Sequence, residues 1–209
     1  MTADVGFVER IRTGDHLILF YDTQENKRRV LFKFLAAGLR RKKRGVYIAS
    51  EESPEQIRSA MMDFGVDAPR YEAEGSLIIH GYLGWYIEGG GCCAPDKISA
   101  HWLETAEDAR RKGLKGLSAT GETDCFIRHN KLRELLRYEY VLHKRLKFPA
   151  EAICAYSITG LVNAGWQDLI MPLIRAHGQV IFTGPGGVML RHSEKVEDAD
   201  IESLLHIKM

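Results

Sequence analysis

The side chains of this chain that could do chemistry fall into a few small sets. Cys92 and Cys93 stand side by side with His80 and His101 not far away, residue types that hold zinc, haem or a corrinoid. Adjacent cysteines point in different directions, whereas structural zinc sites space them two to four residues apart, so one could ligate without the other. Plain loop cysteines and a redox-reactive thiol are the competing readings, and no metal is assigned. Glu122 and Asp124 could form an acid/base pair, but two acids beside a helix start are explained equally well by the turn itself. The sequence offers no nucleophile elbow and no Cys-His-Asn set in the required context. Tyr138-Glu139 is a further set, because the carboxylate falls inside a leucine stripe. Last comes the turn after the first apolar run, Asp22-Thr-Gln-Glu-Asn-Lys-Arg-Arg29. It has no glycine, and Asp22 and Glu25 would repel a phosphate that a glycine-rich loop would cradle.

The elements that must position these residues read as alternating strand and helix. His16 to Tyr21 is nearly all apolar, as in a strand buried on both faces of a parallel sheet. Val30, Leu31, Phe34, Leu35 and Gly38 share one helical face. The cations Arg40 to Arg44 close that helix, where the dipole favours positive charge without any nucleic acid, and Gly45 stands where a left-handed cap belongs. Val46 to Ser50 is a second strand, and Ser53-Pro54-Glu55-Gln56 sets out a capping box before a helix that ends near Gly65. Leu77 to His80 is a third strand.

Residues 81–95 then change texture, with Tyr82, Trp85 and Tyr86 among five glycines and two cysteines. Such a loop suits a lid or pocket wall, or an excursion whose aromatics cover the core. Asp96 can cap the next helix, with Ile98, Trp102, Ala106 and Ala109 on one face. Gly116 to Thr120 is a fourth strand, and Glu122 and Asp124 stand after it, where open α/β sheets bind ligands. A helix from about Asn130 to Leu146 carries Leu132, Leu135, Leu136, Glu139, Leu142 and Leu146 on one face. Burying Glu139 is costly unless it is paired, so it has either a structural partner or a pocket to face. Glu151 to Tyr156 is a fifth strand, Trp166 to Ala176 a short helix interrupted by Pro172, and Gln179 to Phe182 a sixth strand. A solvated C-terminal segment follows, with a weak helix around Asp200 to Leu205.

Composition bounds the function classes. The 209 residues, 45% hydrophobic, suit one domain spanning 1–209, with a core over about 13–190 and a C-terminal segment over 191–209. A net charge of +1 supplies no general field for nucleic acid or an acidic membrane. Four cysteines in a chain of this size do not form a disulfide framework, and neither a signal peptide nor an apolar run of roughly 18 residues is present, so the expected compartment is the cytoplasm.

The order of elements, with Val46-Tyr-Ile-Ala-Ser50-Glu51-Glu52 as second strand, resembles a KaiC/RecA-type ATPase core. It departs where the phosphate loop should be, and again where the fourth strand ends Ala119-Thr120 in place of a metal-directing aspartate. ATP hydrolysis is therefore not expected. The same departures mark an offshoot of that class, and over roughly residues 13–190 the sequence resembles the MEDS domain, the sensory domain named from methanogens, methylotrophs and the dichloromethane regulator DcmR. The fragments that carry the resemblance are Gly14-Asp15-His16 with Phe20-Tyr21, Tyr47 to Ser50, Gly121-Glu122, Tyr138-Glu139 and Cys154-Ala-Tyr156.

The resemblance implies a three-layer α/β fold with a mainly parallel central sheet. It implies a non-catalytic sensor of simple carbon compounds or their derivatives, signalling through a transcription-regulator or other signalling protein, with the cofactor unknown. His16, Tyr21, Asp22, Trp85, Glu122, Tyr138, Glu139 and Tyr156 are the expected ligand contacts, with Tyr21 foremost. The alternative is a metal- or cofactor-bearing redox switch or enzyme centred on Cys92 and Cys93. Direct nucleic-acid and membrane partners are not expected, and self-association is left open.

Overall fold

The computed structural model describes residues 5–145, 149–184 and 187–196. The strands are β1 (His16–Tyr21), β2 (Arg44–Ala49), β3 (Leu77–Gly81), β4 (Ile87–Glu88), β5 (Gly91–Cys92), β6 (Leu117–Glu122), β7 (Ala150–Ser157), β8 (Gln179–Gly184) and β9 (Gly187–His192). Seven of them form one sheet in the order β3-β2-β6-β7-β1-β8-β9, parallel throughout except that β9 returns antiparallel on β8. The helices are α1 (Gln24–Arg40), α2 (Pro54–Asp63), α3 (Ala68–Ala73), α4 (Pro95–Arg111), α5 (Asp124–Arg128), α6 (Leu132–Arg145), α7 (Ile158–Asn163) and α8 (Ile170–Arg175).

Every residue of β1, β2 and β6 is buried, as expected of central parallel strands covered on both faces. Period-two alternation then divides the core. Leu17, Leu19 and Tyr21 face the layer of α1 and α2, while Ile18 and Phe20 face that of α4, α6 and α8. Each fully buried Leu, Ile, Val or Phe contributes about 1.5–3 kcal/mol, so these two layers dominate stability. Gly38 lets α1 lie directly on β6, since a Cβ there would sit 2.1 Å from Ser118 Oγ. The capping box is present, with Ser53 Oγ accepting from the Gln56 backbone and Gln56 from that of Ser53.

Several local expectations are corrected. Gly45 does not cap α1: it is a β2 residue paired with Leu77 and Ser118, and Lys42, at φ 61°, takes the left-handed position. Ala94, not Asp96, is the N-cap of α4. Pro172 does not interrupt a helix, because it lies in the first turn of α8, where a missing N–H costs no helical hydrogen bond. Three of the cations closing α1 are held in ion pairs with buried or half-buried groups. Arg41 and Lys43 both pair with the fully buried Glu151, which also accepts from Ser118 Oγ at 2.7 Å, and Arg44 pairs with Asp108 at 2.8 Å. The helix expected around Asp200 lies outside the described residues.

Candidate functional site

The eight residues expected to share one ligand site are divided by the fold between different places. Tyr21, Asp22 and Glu122 stand at the carboxyl ends of β1 and β6, where the protein's own side chains have closed the space around Lys27. Lys27 sits in the first turns of α1 because Thr23 caps that helix, its Oγ1 accepting from the Asn26 backbone at 3.2 Å. Its ammonium is fully buried and donates to Glu122 Oε1 at 2.6 Å and Glu51 Oε2 at 3.0 Å, with Glu52 at 3.5 Å. Glu122 also accepts from Tyr47 OH at 2.6 Å, Ser50 N at 2.6 Å and Glu51 N at 2.7 Å. Tyr21 and Gln24 both donate to Glu51, and Arg28 pairs with Glu52.

The electrostatics follow. Burial works to lower the Lys27 pKa, but Glu122 and Glu51 outweigh it and the pKa is raised. Burial likewise opposes ionisation of Glu51, and Lys27 with the hydrogen bonds from Tyr21 and Gln24 overcomes it, so its pKa is lowered. Three carboxylates face two cations here. An incoming phosphate would meet a lysine already neutralised, net negative charge and no array of free backbone N–H donors. Asp22 is tied down as well, Oδ1 accepting from Asn26 and Thr183 at 2.8 Å each. This end of the sheet is filled by a network of paired ions.

Tyr138 faces the opposite layer. The 81–94 segment, tied by the short β4–β5 pair, folds its aromatics onto the sheet, and Trp85 and Tyr86 are buried. Gly121 admits Tyr86, whose hydroxyl would lie 2.1 Å from a Cβ at that position. Tyr86 packs on Phe126 and Tyr138 with centroids 5.4 and 5.5 Å away. Tyr86 and Tyr138, with Trp102, Ala119, Ala152 and Cys154, line a narrow, almost wholly apolar cavity of about 20 Å³. Such a volume admits a water-sized or slightly larger molecule. Trp85 lies elsewhere, against Trp102 and between His80 and His101, on the wall of an open groove of about 520 Å³ beside α4.

Glu139, His16 and Tyr156 come together on the same layer as the cavity, and Cys154 and His177 join them. His16 Nε2 is 3.3 Å from Cys154 Sγ and 3.8 Å from Glu139 Oε2, and His177 Nε2 is 3.4 Å from the same Oε2. The Tyr156 hydroxyl donates to Glu139 Oε1. Glu139 thus has a structural partner in Tyr156 and faces a buried polar cluster, and it is not among the residues that line the cavity. Burial and Glu139 push the Cys154 thiol pKa well up. In the sequence Cys154 stands out only as part of a motif, and His177 carries no signal beyond being a histidine between helix and strand. Among the described residues, it is this set that brings three or more potential metal ligands together, and Cys92, Cys93, His80 and His101 are not part of it. The thiols of Cys92, with a pKa raised to about 11 chiefly by burial, and Cys93, raised for the same reason, are poor nucleophiles.

Among the described residues, no helix is long and apolar enough to cross a membrane. The structure is similar to that of a KaiC-like protein from the hyperthermophilic archaeon Pyrococcus horikoshii OT3, at a TM-score of 0.60 and 16% identity over 88% of this chain and 81% of that one. That likeness shows the KaiC-like, RecA-type α/β fold. No curated protein matches the chain. The family model of the MEDS domain, the methanogen/methylotroph, DcmR sensory domain, matches residues 15–177, a span that takes in β1, the ion cluster, the cavity and every residue from His16 to His177 in the buried polar set. The chain belongs to the MEDS family of sensory domains.

Proposed function

We propose that this chain is a non-catalytic sensory domain that takes a very small, neutral carbon compound into the cavity between β6–β7 and the aromatics Tyr86, Trp102 and Tyr138, and passes the signal to a transcription-regulator or other signalling protein. The cavity carries the reading: it is apolar, about 20 Å³ in volume, and walled in part by Tyr86 of the 81–94 segment. Its size favours molecules little larger than a water, of one or two heavy atoms, and its walls favour apolar or weakly polar ones. The filled carboxyl end of the sheet, with Lys27 neutralised by Glu122 and Glu51, supports the absence of ATP hydrolysis.

Binding of such a compound stabilises the folded state by mass action, so the thermal midpoint rises with its concentration. A graded series of neutral one- to four-carbon compounds tests this. The midpoint should rise with the smallest members and stop rising as size increases, and Ala152→Val, which fills the cavity, should abolish the response while leaving the protein folded. A response that is absent throughout, or unchanged in Ala152→Val, rejects the cavity as the sensing site. Incubation with ATP and magnesium should release no phosphate.

A further inference from the structure

We infer that the chain holds one divalent transition-metal ion, zinc by its donor chemistry, between His16 Nε2, Glu139 Oε2, Cys154 Sγ and His177 Nε2. The four potential ligand atoms lie within 4.8 Å of one another, on four buried residues. A tetrahedral zinc ion with bonds of about 2.0–2.3 Å places its ligand atoms roughly 3.3–3.6 Å apart. The separations along the set, 3.3 Å from His16 to Cys154, 3.8 Å from His16 to Glu139 and 3.4 Å from Glu139 to His177, are close to that figure.

The surrounding hydrogen bonds already orient the ligands. His177 Nδ1 is 2.7 Å from the Leu173 carbonyl, which can only accept, so Nδ1 carries the proton and Nε2 presents a lone pair to the cluster. Tyr156 occupies Glu139 Oε1 and leaves Oε2 facing inward. Among the described residues, Glu139 Oε2 and His177 Nε2 make no hydrogen bond although both side chains are fully buried. Two acceptors facing each other at 3.4 Å repel unless a cation lies between them, and that cation is either a metal ion or a second proton on His177. The thiol and second imidazole gathered on the same side favour the metal, since with Glu139 and His177 they complete a zinc ligand set. An all-oxygen preference sets calcium and magnesium aside.

The backbone holds the carriers in place, Gly178 N donating to the His16 carbonyl at 3.0 Å next to His177. The ligands come from β1, α6, β7 and the turn after α8, so the ion would tie the central sheet to the helices over it. Cys154 also lines the cavity, which places the ion beside the proposed sensing pocket, but the inference rests on the ligand geometry and stands without the sensory reading.

The full chain, purified without chelator, is assayed for metal by mass spectrometry, then stripped and titrated with cobalt(II). One equivalent of zinc is expected, and cobalt should give tetrahedral visible bands with a near-ultraviolet thiolate-to-cobalt charge-transfer band. Cys154→Ser should lose the charge-transfer band but keep weaker visible bands, His177→Gln should weaken cobalt binding at least tenfold, and Cys92→Ser with Cys93→Ser should change neither. A wild-type chain that is folded by circular dichroism yet takes up neither zinc nor cobalt overturns the inference in favour of the protonated pair. A charge-transfer band that survives Cys154→Ser overturns it as well.

Discussion

Replacing Lys27 with methionine probes the ion cluster that stands where a phosphate would be bound. The ammonium and the Glu122 carboxylate it meets at 2.6 Å are both 0% exposed, so solvent cannot take over when the lysine is removed. Breaking a buried pair from one side costs about 3–5 kcal/mol, because the remaining charge stays buried without compensation. Glu122 keeps Tyr47 OH and the backbone N–H groups of Ser50 and Glu51, which places the expected loss near the lower end, about 3 kcal/mol. For a chain of this length that corresponds to a drop of roughly 6–12 °C in the thermal midpoint. Urea unfolding followed by circular dichroism measures the loss, and an unchanged m-value assigns it to the native state. The double variant Lys27→Met with Glu122→Gln removes both charges and should recover at least half of it. A single variant within about 1 kcal/mol of wild type, the range of an exposed ion pair, would refute the account of the cluster as a buried structural unit.

The same cluster sets a pH profile. Glu51 has a folded pKa below its ordinary 4.5, so its contribution is present above that value and is lost as pH falls through the lowered folded value. Lys27 has a folded pKa above 10.5, so its contribution is complete below 10.5 and is lost as pH rises through the raised one. Unfolding free energies measured across pH should carry both contributions unchanged between these limits and lose them outside, and Lys27→Met should flatten the alkaline loss. At the other end of the sheet, Glu151→Ala strips the acceptor from Arg41, Lys43 and Ser118 and should cost about 3–5 kcal/mol in the same urea assay. Gly121→Ala drives a methyl into the Tyr86 hydroxyl, an overpacking cost of about 1–3 kcal/mol that should also alter the near-ultraviolet dichroism of the aromatic cluster.

Much of the frame was legible in one dimension because it rests on local rules. The six parallel strands follow from short apolar runs, the α2 start from Ser53 and Gln56, and the α4 face from the spacing of Ile98, Trp102, Ala106 and Ala109. Gly45 misled because glycine after a cationic run signals a helix cap, and only strand pairing with Leu77 and Ser118 reveals its place in β2. The strand β9 went unseen because its half-buried Val188-Met-Leu190 gains a partner only when β8 is beside it.

The candidate site divides in the same way. Sequence determined that the phosphate loop is missing, since no arrangement of Asp22 to Arg29 supplies glycine, and it marked Glu139 as a carboxylate inside an apolar stripe. It could not say that Lys27 is neutralised by Glu122, 95 residues away, or that the Tyr21 hydroxyl donates to Glu51 in that cluster. Nor could it bring His177 and Cys154 to His16 and Glu139, because side chains on two strands, a helix and a turn acquire a common centre only through the parallel register of β1 with β7 and the packing of α6 and α8 across them. Composition and periodicity reveal the segments whose own residues carry the pattern. Which buried polar groups meet is decided by the sheet order, because the cost of burying each one is met by partners distant in the chain.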